Sequence, residues 1–303
     1  APLPDGGRGE DDGLDVYLSH FGTGGAGGAY VTCDGDGAQC EDFAPNDGLA
    51  STPSFIVIDP ELDAATLRRY CHHEFNHVLQ YATDFEEPFL AVWEGTATAA
   101  ETWTNPDAPL DQGPLEDYQG YPWVSAVLQD GYWLDETYGV YGYYEYGAVL
   151  WVMWMDQRWG DGQGSIGPAL WDAMANDPGE NEPDVLDAWD EISGDWRTDI
   201  LEFTIARGTF GTDNEPAWLT AIGGAPEVAA RTLVANNDYE EIAELYPLGM
   251  RYFDVNIEWN STGVVAASET EGIALVVVNV PETVEISPVP NLNSVRFSGV
   301  GTL

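Results

Sequence analysis

Cys71-His72-His73-Glu74-Phe75-Asn76-His77-Val78-Leu79-Gln80 constrains this chain more than any other stretch. In a helix, side chains four positions apart stand one above the other. His73 and His77 therefore present two imidazoles on one face, at a spacing that a single zinc ion can bridge. Glu74 points to the neighbouring side, where it can take a proton from a metal-activated water and later pass it on. Three of the chain's 4 histidines fall in this one segment. The competing reading is a helix whose histidines are satisfied core or surface residues. A fold that uses the segment must supply a helix with one packed face and one face open to a cleft.

The flanking residues say where such a helix runs. Asp59-Pro60-Glu61 reads as its start, with Asp as N-cap and Pro at the first helical position, and the helix continues to about Thr83. Leu67, Cys71, Phe75, Val78 and Ala82 form an apolar stripe. Tyr70, His73, Glu74, His77 and Tyr81 form the side facing the cleft. Glu86-Glu87-Pro88 reads as the start of a second helix containing Trp93-Glu94-Gly95-Thr96-Ala97-Thr98-Ala99-Ala100-Glu101. Two histidines leave zinc short of a third protein ligand, and Glu94 is placed to supply it after one turn and a helix that runs back past the first. Glu101, on the same face, can accept the second ring N–H of a ligating histidine. Gly95, Ala97 and Ala99 are small enough to let the two helices approach closely. The alternative is that both glutamates are ordinary solvated acids.

His73-Glu74-Phe75-Asn76-His77-Val78-Leu79-Gln80 followed by Trp93-Glu94-Gly95-x-Ala97-x-x-x-Glu101 resembles the gluzincin branch of zinc metallopeptidases, in particular secreted, largely uncharacterised metallopeptidases of myxobacteria and similar organisms. The resemblance implies that His73, His77 and Glu94 bind zinc and that Glu74 is the catalytic carboxylate. It also implies a downstream Tyr or His that stabilises an oxyanion. Tyr146 is the choice and Tyr143 the second, against a reading of simple aromatic packing. The specific motifs cover residues 70–102, with a looser likeness through Tyr144-x-Tyr146-Gly147-Ala148-x-Leu150-Trp151. Trp93-Glu94 stands where some gluzincins carry an Asn-Glu pair, so aminopeptidase specificity is not supported.

The rest of the chain is read by what it adds to that site. Leu14–Leu18, Ala29–Thr32 and Ser54–Ile58 read as three strands making a sheet beside the metal helix. Between them, Asp34-Gly35-Asp36-Gly37 with Glu41 and Asp42 partly resembles a calcium loop, and calcium or a plain solvated turn both stay open. Cys33 and Cys40 could close a small disulfide worth about 2.5 kcal/mol, leaving Cys71 a free thiol. Residues 105–140 cover the cleft with one short helix around Trp123–Leu128. The chain turns helical again from Tyr141 to Trp159, then over Gly167–Ala175, Pro183–Ile192 and Trp196–Arg207. After Arg231 it changes to short strands, at Met250–Ile257, Gly263–Ala267, Ile273–Val280, Thr283–Ile286 and Val295–Phe297. The expected architecture is α+β: a zincin-like catalytic domain over residues 1–232, with N-terminal sheet, active-site helix and helical C-terminal half, then a small all-β, sandwich-like domain over 233–303.

Charge limits the partners. The 53 acidic against 9 basic side chains give a formal net charge of −44 in 303 residues, which argues against a nucleic-acid backbone or an anionic membrane surface. Such a surface suits high salt, where the Debye length falls to about 3 Å at 1 M, and equally an acidic secreted protein with no salt dependence. No apolar run reaches the roughly 20 residues needed to cross a bilayer. The start at Ala1 without Met fits a mature exported product, so the expected location is extracellular. The function expected from these residues is a secreted zinc-dependent peptidase, an endopeptidase acting on protein or peptide substrates, with Glu74 as general base. The alternatives are a catalytically silent binding protein on the same scaffold and a zinc hydrolase of a non-peptide bond. Oligomeric state is not readable.

Overall fold

The computed structural model describes residues 2–3, 13–22, 27–31, 49–106, 109–128, 143–177, 180, 182–234, 246–257, 263–266, 284–288, 294–299 and 301–302. Within them the chain is mixed α/β. Ser54–Ile58, rich in β-branched and aromatic residues, forms the central strand β3 of a three-stranded sheet, flanked by β1 (Val16–Leu18) and β2 (Gly27–Val31) in the order β1-β3-β2. β1 runs parallel to β3 and β2 antiparallel, with Val16 and Ala29 both opposite Ile56. The three expected strands and their sheet are all present, and β2 is left with one edge unpaired within it.

Helix α1 (Ala64–Tyr81) lies against this sheet, and Ile56, Ile58 and Val78 form a small core with Leu67, Tyr70, Cys71 and Ala29 around it. Its N-cap is Asp63, not Asp59: the Asp63 Oδ1 accepts the backbone N–H groups of Ala65 at 3.0 Å and Thr66 at 3.1 Å. A cap of this kind contributes about 1 kcal/mol. The Asp59 carboxylate instead accepts from the N–H of Glu61 at 2.9 Å and of Phe21 at 3.1 Å, closing the turn that ends β3. The packed face is also rotated from the expected stripe. Tyr70 joins the core, whereas Phe75 is 41% exposed.

The second helix, α2 (Leu90–Thr104), starts later than expected and has no side-chain N-cap. Asp84 and Glu87 use their carboxylates in the connection instead, accepting from the N–H of Glu86 and of Phe89, each at 3.0 Å. α2 packs along α1, but Gly95 serves a different neighbour: a Cβ there would lie 3.1 Å from the Cβ of Ala148. The small residue thus lets α2 approach the junction of α4 (Tyr144–Gly147) and α5 (Val149–Trp159) rather than α1.

Trp123–Leu128 is not helical; among the described residues of this region the short helix is α3 (Gln112–Gly120). Carbonyls that a helix would use internally are taken by tyrosines, Ala126 O by the Tyr118 hydroxyl at 3.1 Å and Ser125 O by that of Tyr144 at 2.9 Å. The expected helix over 141–159 is broken at Ala148 into α4 and α5. Every residue from Val149 to Asp156 is buried, as befits the central helix of a core that gathers Trp151, Trp154, Trp171, Trp189 and Phe203. α6 (Ile166–Met174), α7 (Val185–Ser193), α8 (Trp196–Thr209) and the short α9 (Ala217–Ala221) complete it.

The chain then turns to strands. β4 (Ala230–Val234) pairs parallel with β5 (Tyr252–Ile257), which pairs antiparallel with β9 (Gly301–Thr302). β6 (Gly263–Ala266), β8 (Ser294–Gly299) and β7 (Val284–Pro288) form a second antiparallel set in that order. β4 crosses position 232. The expected strand Ile273–Val280, the Cys33–Cys40 pair and the turn with Asp34, Asp36, Glu41 and Asp42 lie outside the described residues.

Candidate metal centre

α1 and α2 carry the site between them. His73 and His77, one turn apart on α1, are 3% and 8% exposed, and their Nε2 atoms lie 3.0 Å from each other. Glu94 on α2 reaches the same point, its Oε2 3.0 Å from His73 Nε2 and 3.4 Å from His77 Nε2. The structure thus brings together the three residues singled out as ligands, with ligand-type atoms all within 4.8 Å of one another.

The far side of each ring decides what these nitrogens can do. His73 Nδ1 lies 2.8 Å from Glu101 Oε1, the acceptor anticipated from the sequence. Glu101 is held in turn by Arg69, whose Nε is 2.8 Å from Oε2 and whose Nη2 also reaches Asp111 at 3.2 Å. His77 Nδ1 lies 2.6 Å from Gln80 Oε1. The orientation of that amide is not free, because its Nε2 donates to the Trp93 carbonyl at 3.0 Å and to Thr96 Oγ1 at 2.7 Å. A carbonyl only accepts, so the nitrogen of Gln80 must face Trp93 and its oxygen must face His77. Both imidazoles therefore hold a proton on Nδ1, and in the neutral form each turns an Nε2 lone pair toward Glu94.

Two lone pairs and a carboxylate oxygen about 3 Å apart repel unless a cation lies among them. Burial works to lower the pKa of His73, but Glu101 and Glu94 outweigh it and raise the value well above the ordinary imidazole range. Burial likewise opposes ionisation of Glu94, yet His77 and His73 hold its carboxyl far below the ordinary carboxylate range. A cluster of two imidazoles and one carboxylate, with both rings oriented from behind, has the donor set of a zinc site, and these residues fit that ion.

Glu74 stands beside the three rather than among them. It is 5% exposed and lines the same cavity, about 350 Å³ in volume, as His73, His77 and Glu94. Burial raises its pKa, the neighbouring histidines pull it back, and the Ala29 N–H on the edge strand β2 bonds its carboxylate. Tyr146 also lines the cavity, its ring stacked on His73 with centroids 5.6 Å apart. Burial, then the charge of Glu94, raises its pKa, and its hydroxyl donates to Glu94. Tyr143, the second choice, is 58% exposed and packs edge-on against the Tyr146 ring. Gly147 fixes this corner: a Cβ there would come 2.3 Å from Tyr118 Cβ, so α4 can lie this close to α3 only with glycine next to Tyr146.

The sequence alone assigns no role to Gln80, Thr96, Arg69 or Trp171, whose Nε1 donates to Thr96 Oγ1 at 3.0 Å. Gln80 and Arg69 were findable, three positions after His77 and four before His73. Thr96 and Trp171 were not, because their part depends on a contact across the fold. Two other groups gather metal-type ligands among the described residues, His20 with Asp59 and Glu61, and Glu182 with Asp184 and Asp187, each largely exposed. Asp59 and Asp184 already spend their carboxylates on a turn and a helix cap.

No protein-family model matches this chain, and neither does any curated protein or any solved structure.

Proposed function

We propose that this chain is a zinc-dependent peptidase of the gluzincin type, an endopeptidase built on a zincin-like domain and followed by a small β-sandwich-like domain. The observation that carries the reading is the convergence of His73 Nε2, His77 Nε2 and Glu94 Oε2, with both Nδ1 positions closed by acceptors. A zinc ion at that point supplies Lewis-acid polarisation of a carbonyl and acidifies a water.

The chain's own groups do the rest. Glu74, outside the three ligands but in the same cavity, accepts the proton of the attacking water and returns it to the leaving amine. Its burial supports that role, since it makes the carboxylate more basic than a solvated one. Tyr146 turns its hydroxyl from Glu94 to the oxyanion that develops on the substrate. Glu101 and Gln80 keep both imidazoles in one tautomer and orientation. β2, through Gly27, Gly28 and Ala29, forms a wall of the cavity. Secretion and the Cys33–Cys40 disulfide belong to the same proposal, while at the Asp34–Asp36 turn calcium stands as the alternative to a plain solvated acidic turn.

The test is cleavage of a peptide library, set against ester and non-peptide amide substrates, with and without a chelator. Glu74→Gln should keep the metal and lose about 10²–10⁴-fold in rate, since proton transfer alone is removed. Glu94→Gln should lose metal and regain part of its activity in excess zinc. Equal loss of zinc in both variants, or near-normal activity in Glu74→Gln, would overturn the roles. Chelator-sensitive cleavage confined to esters would favour a non-peptide hydrolase, and bound zinc with no cleavage at all a binding protein.

A further inference from the structure

Three carboxylates line the cavity beside the candidate metal centre, and the peptidase reading uses only Glu74 and Glu94. Glu87 is the third. It is 7% exposed, on the connection between α1 and α2, and its Oε1 accepts from the N–H of Phe89 at 3.0 Å. Its other oxygen has no hydrogen-bond partner among the described residues. Among the described residues, no Lys or Arg lines the cavity with it. Behind it stands Asp84, fully buried, whose Oδ2 also has no partner among the described residues. Asp184 and Glu182 add their field from α7 and its approach. Beside Glu87, the cavity wall is made by Phe85, Pro88 and Leu90.

We propose that this end of the cavity is a subsite for a cationic side chain of the substrate, Lys or Arg, whose charged head pairs with Glu87. The inference rests on the peptidase reading for its consequence in catalysis. The apolar wall suits such a side chain, because Lys and Arg bury their methylene stems against apolar surface and keep only the head for a polar partner. Once ionised, a buried carboxylate with no cationic partner among the described residues is destabilising until a cation reaches it, so a basic substrate gains here what a neutral one of equal length does not. Asp84 and the acids of α7 deepen the negative field without occupying the cavity.

The experiment has a binding arm and a cleavage arm. Blocked tripeptides Ala-Arg-Ala, Ala-norleucine-Ala and Ala-Glu-Ala are titrated into zinc-loaded Glu74→Gln protein, followed by tryptophan fluorescence, since Trp93 lines the cavity. The Arg peptide should bind about 10-fold or more tighter than the norleucine one. A second substitution, Glu87→Gln, should remove most of that ratio while leaving norleucine binding unchanged. In the cleavage arm, peptides carrying Arg or Lys near the scissile bond should show a similar advantage in kcat/KM with the wild-type chain, lost in Glu87→Gln and reversed toward Glu peptides in Glu87→Lys. Arg-selective binding without cleavage sinks the peptidase reading and leaves the subsite standing. Cleavage or binding with no basic preference, or a preference that survives Glu87→Gln, overturns the subsite.

Discussion

Replacing Glu87 with Gln should stabilise the protein at high pH and leave it nearly unchanged at low pH. Burial pushes the Glu87 carboxyl from 4.5 up to about 7, with the nearby Asp84, Asp184 and Glu182 adding to the rise and the Phe89 N–H opposing it. A folded state that keeps a proton the unfolded chain has released loses stability as pH rises between those two values. The penalty is absent below about pH 4.5 and complete above about pH 7. At about 1.4 kcal/mol per pH unit, the full penalty is about 3 kcal/mol. Part of it belongs to Asp84, which burial raises to about 6 in the same way, and the amide must still accept from Phe89. The expected gain for Glu87→Gln is therefore about 1–3 kcal/mol at pH 8 and close to zero at pH 4.5. The assay is urea unfolding of both proteins at fixed salt and at those two pH values. The difference between them cancels carboxylates whose pKa is lowered on folding, such as Asp63, which lose stability in the opposite direction. Equal stability changes at the two pH values, or a loss at pH 8, would refute the reasoning.

Three further predictions concern the metal site and the cysteines. The purified protein should hold about one zinc per chain, measured by elemental analysis, and stoichiometric zinc in a His73→Ala, His77→Ala double variant would sink the ligand assignment. Gln80→Leu removes the acceptor that fixes the His77 tautomer and should weaken zinc binding about 10–100-fold in a competition titration; unchanged affinity would mean that the ring needs no such support. A non-reduced digest should show Cys33 linked to Cys40 and Cys71 free. Cys71 packs against the sheet, and burial raises its thiol pKa, so linkage of Cys71 to either partner would contradict both the pairing and that packing.

What the sequence determined by itself is local. A spacing of four on a helix brings His73 and His77 to one face whatever surrounds them, and the β-branched run Ser54–Ile58 was legible as a strand from its composition. Glu94 and Glu101 were also within reach, because a helix that returns beside α1 can present both to the histidines. Boundaries were less secure wherever two residues competed for one role. Asp59 and Asp63 are equally good caps by type, and only the turn that Asp59 makes with Phe21 and Glu61 leaves the cap to Asp63. Tertiary structure alone decided which face of α1 is packed, since both Tyr70 and Phe75 offer a ring that can fill a core and the placement of the sheet covers Tyr70 while leaving Phe75 outside. It alone turned Gly95 toward Ala148 and Gly147 toward Tyr118, contacts between segments far apart in the chain. The same holds for the Trp171–Thr96–Gln80–His77 relay and for Glu87. A sequence records that an amide or carboxylate is present, whereas the partner that orients it and the burial that shifts its proton depend on what the fold packs against it.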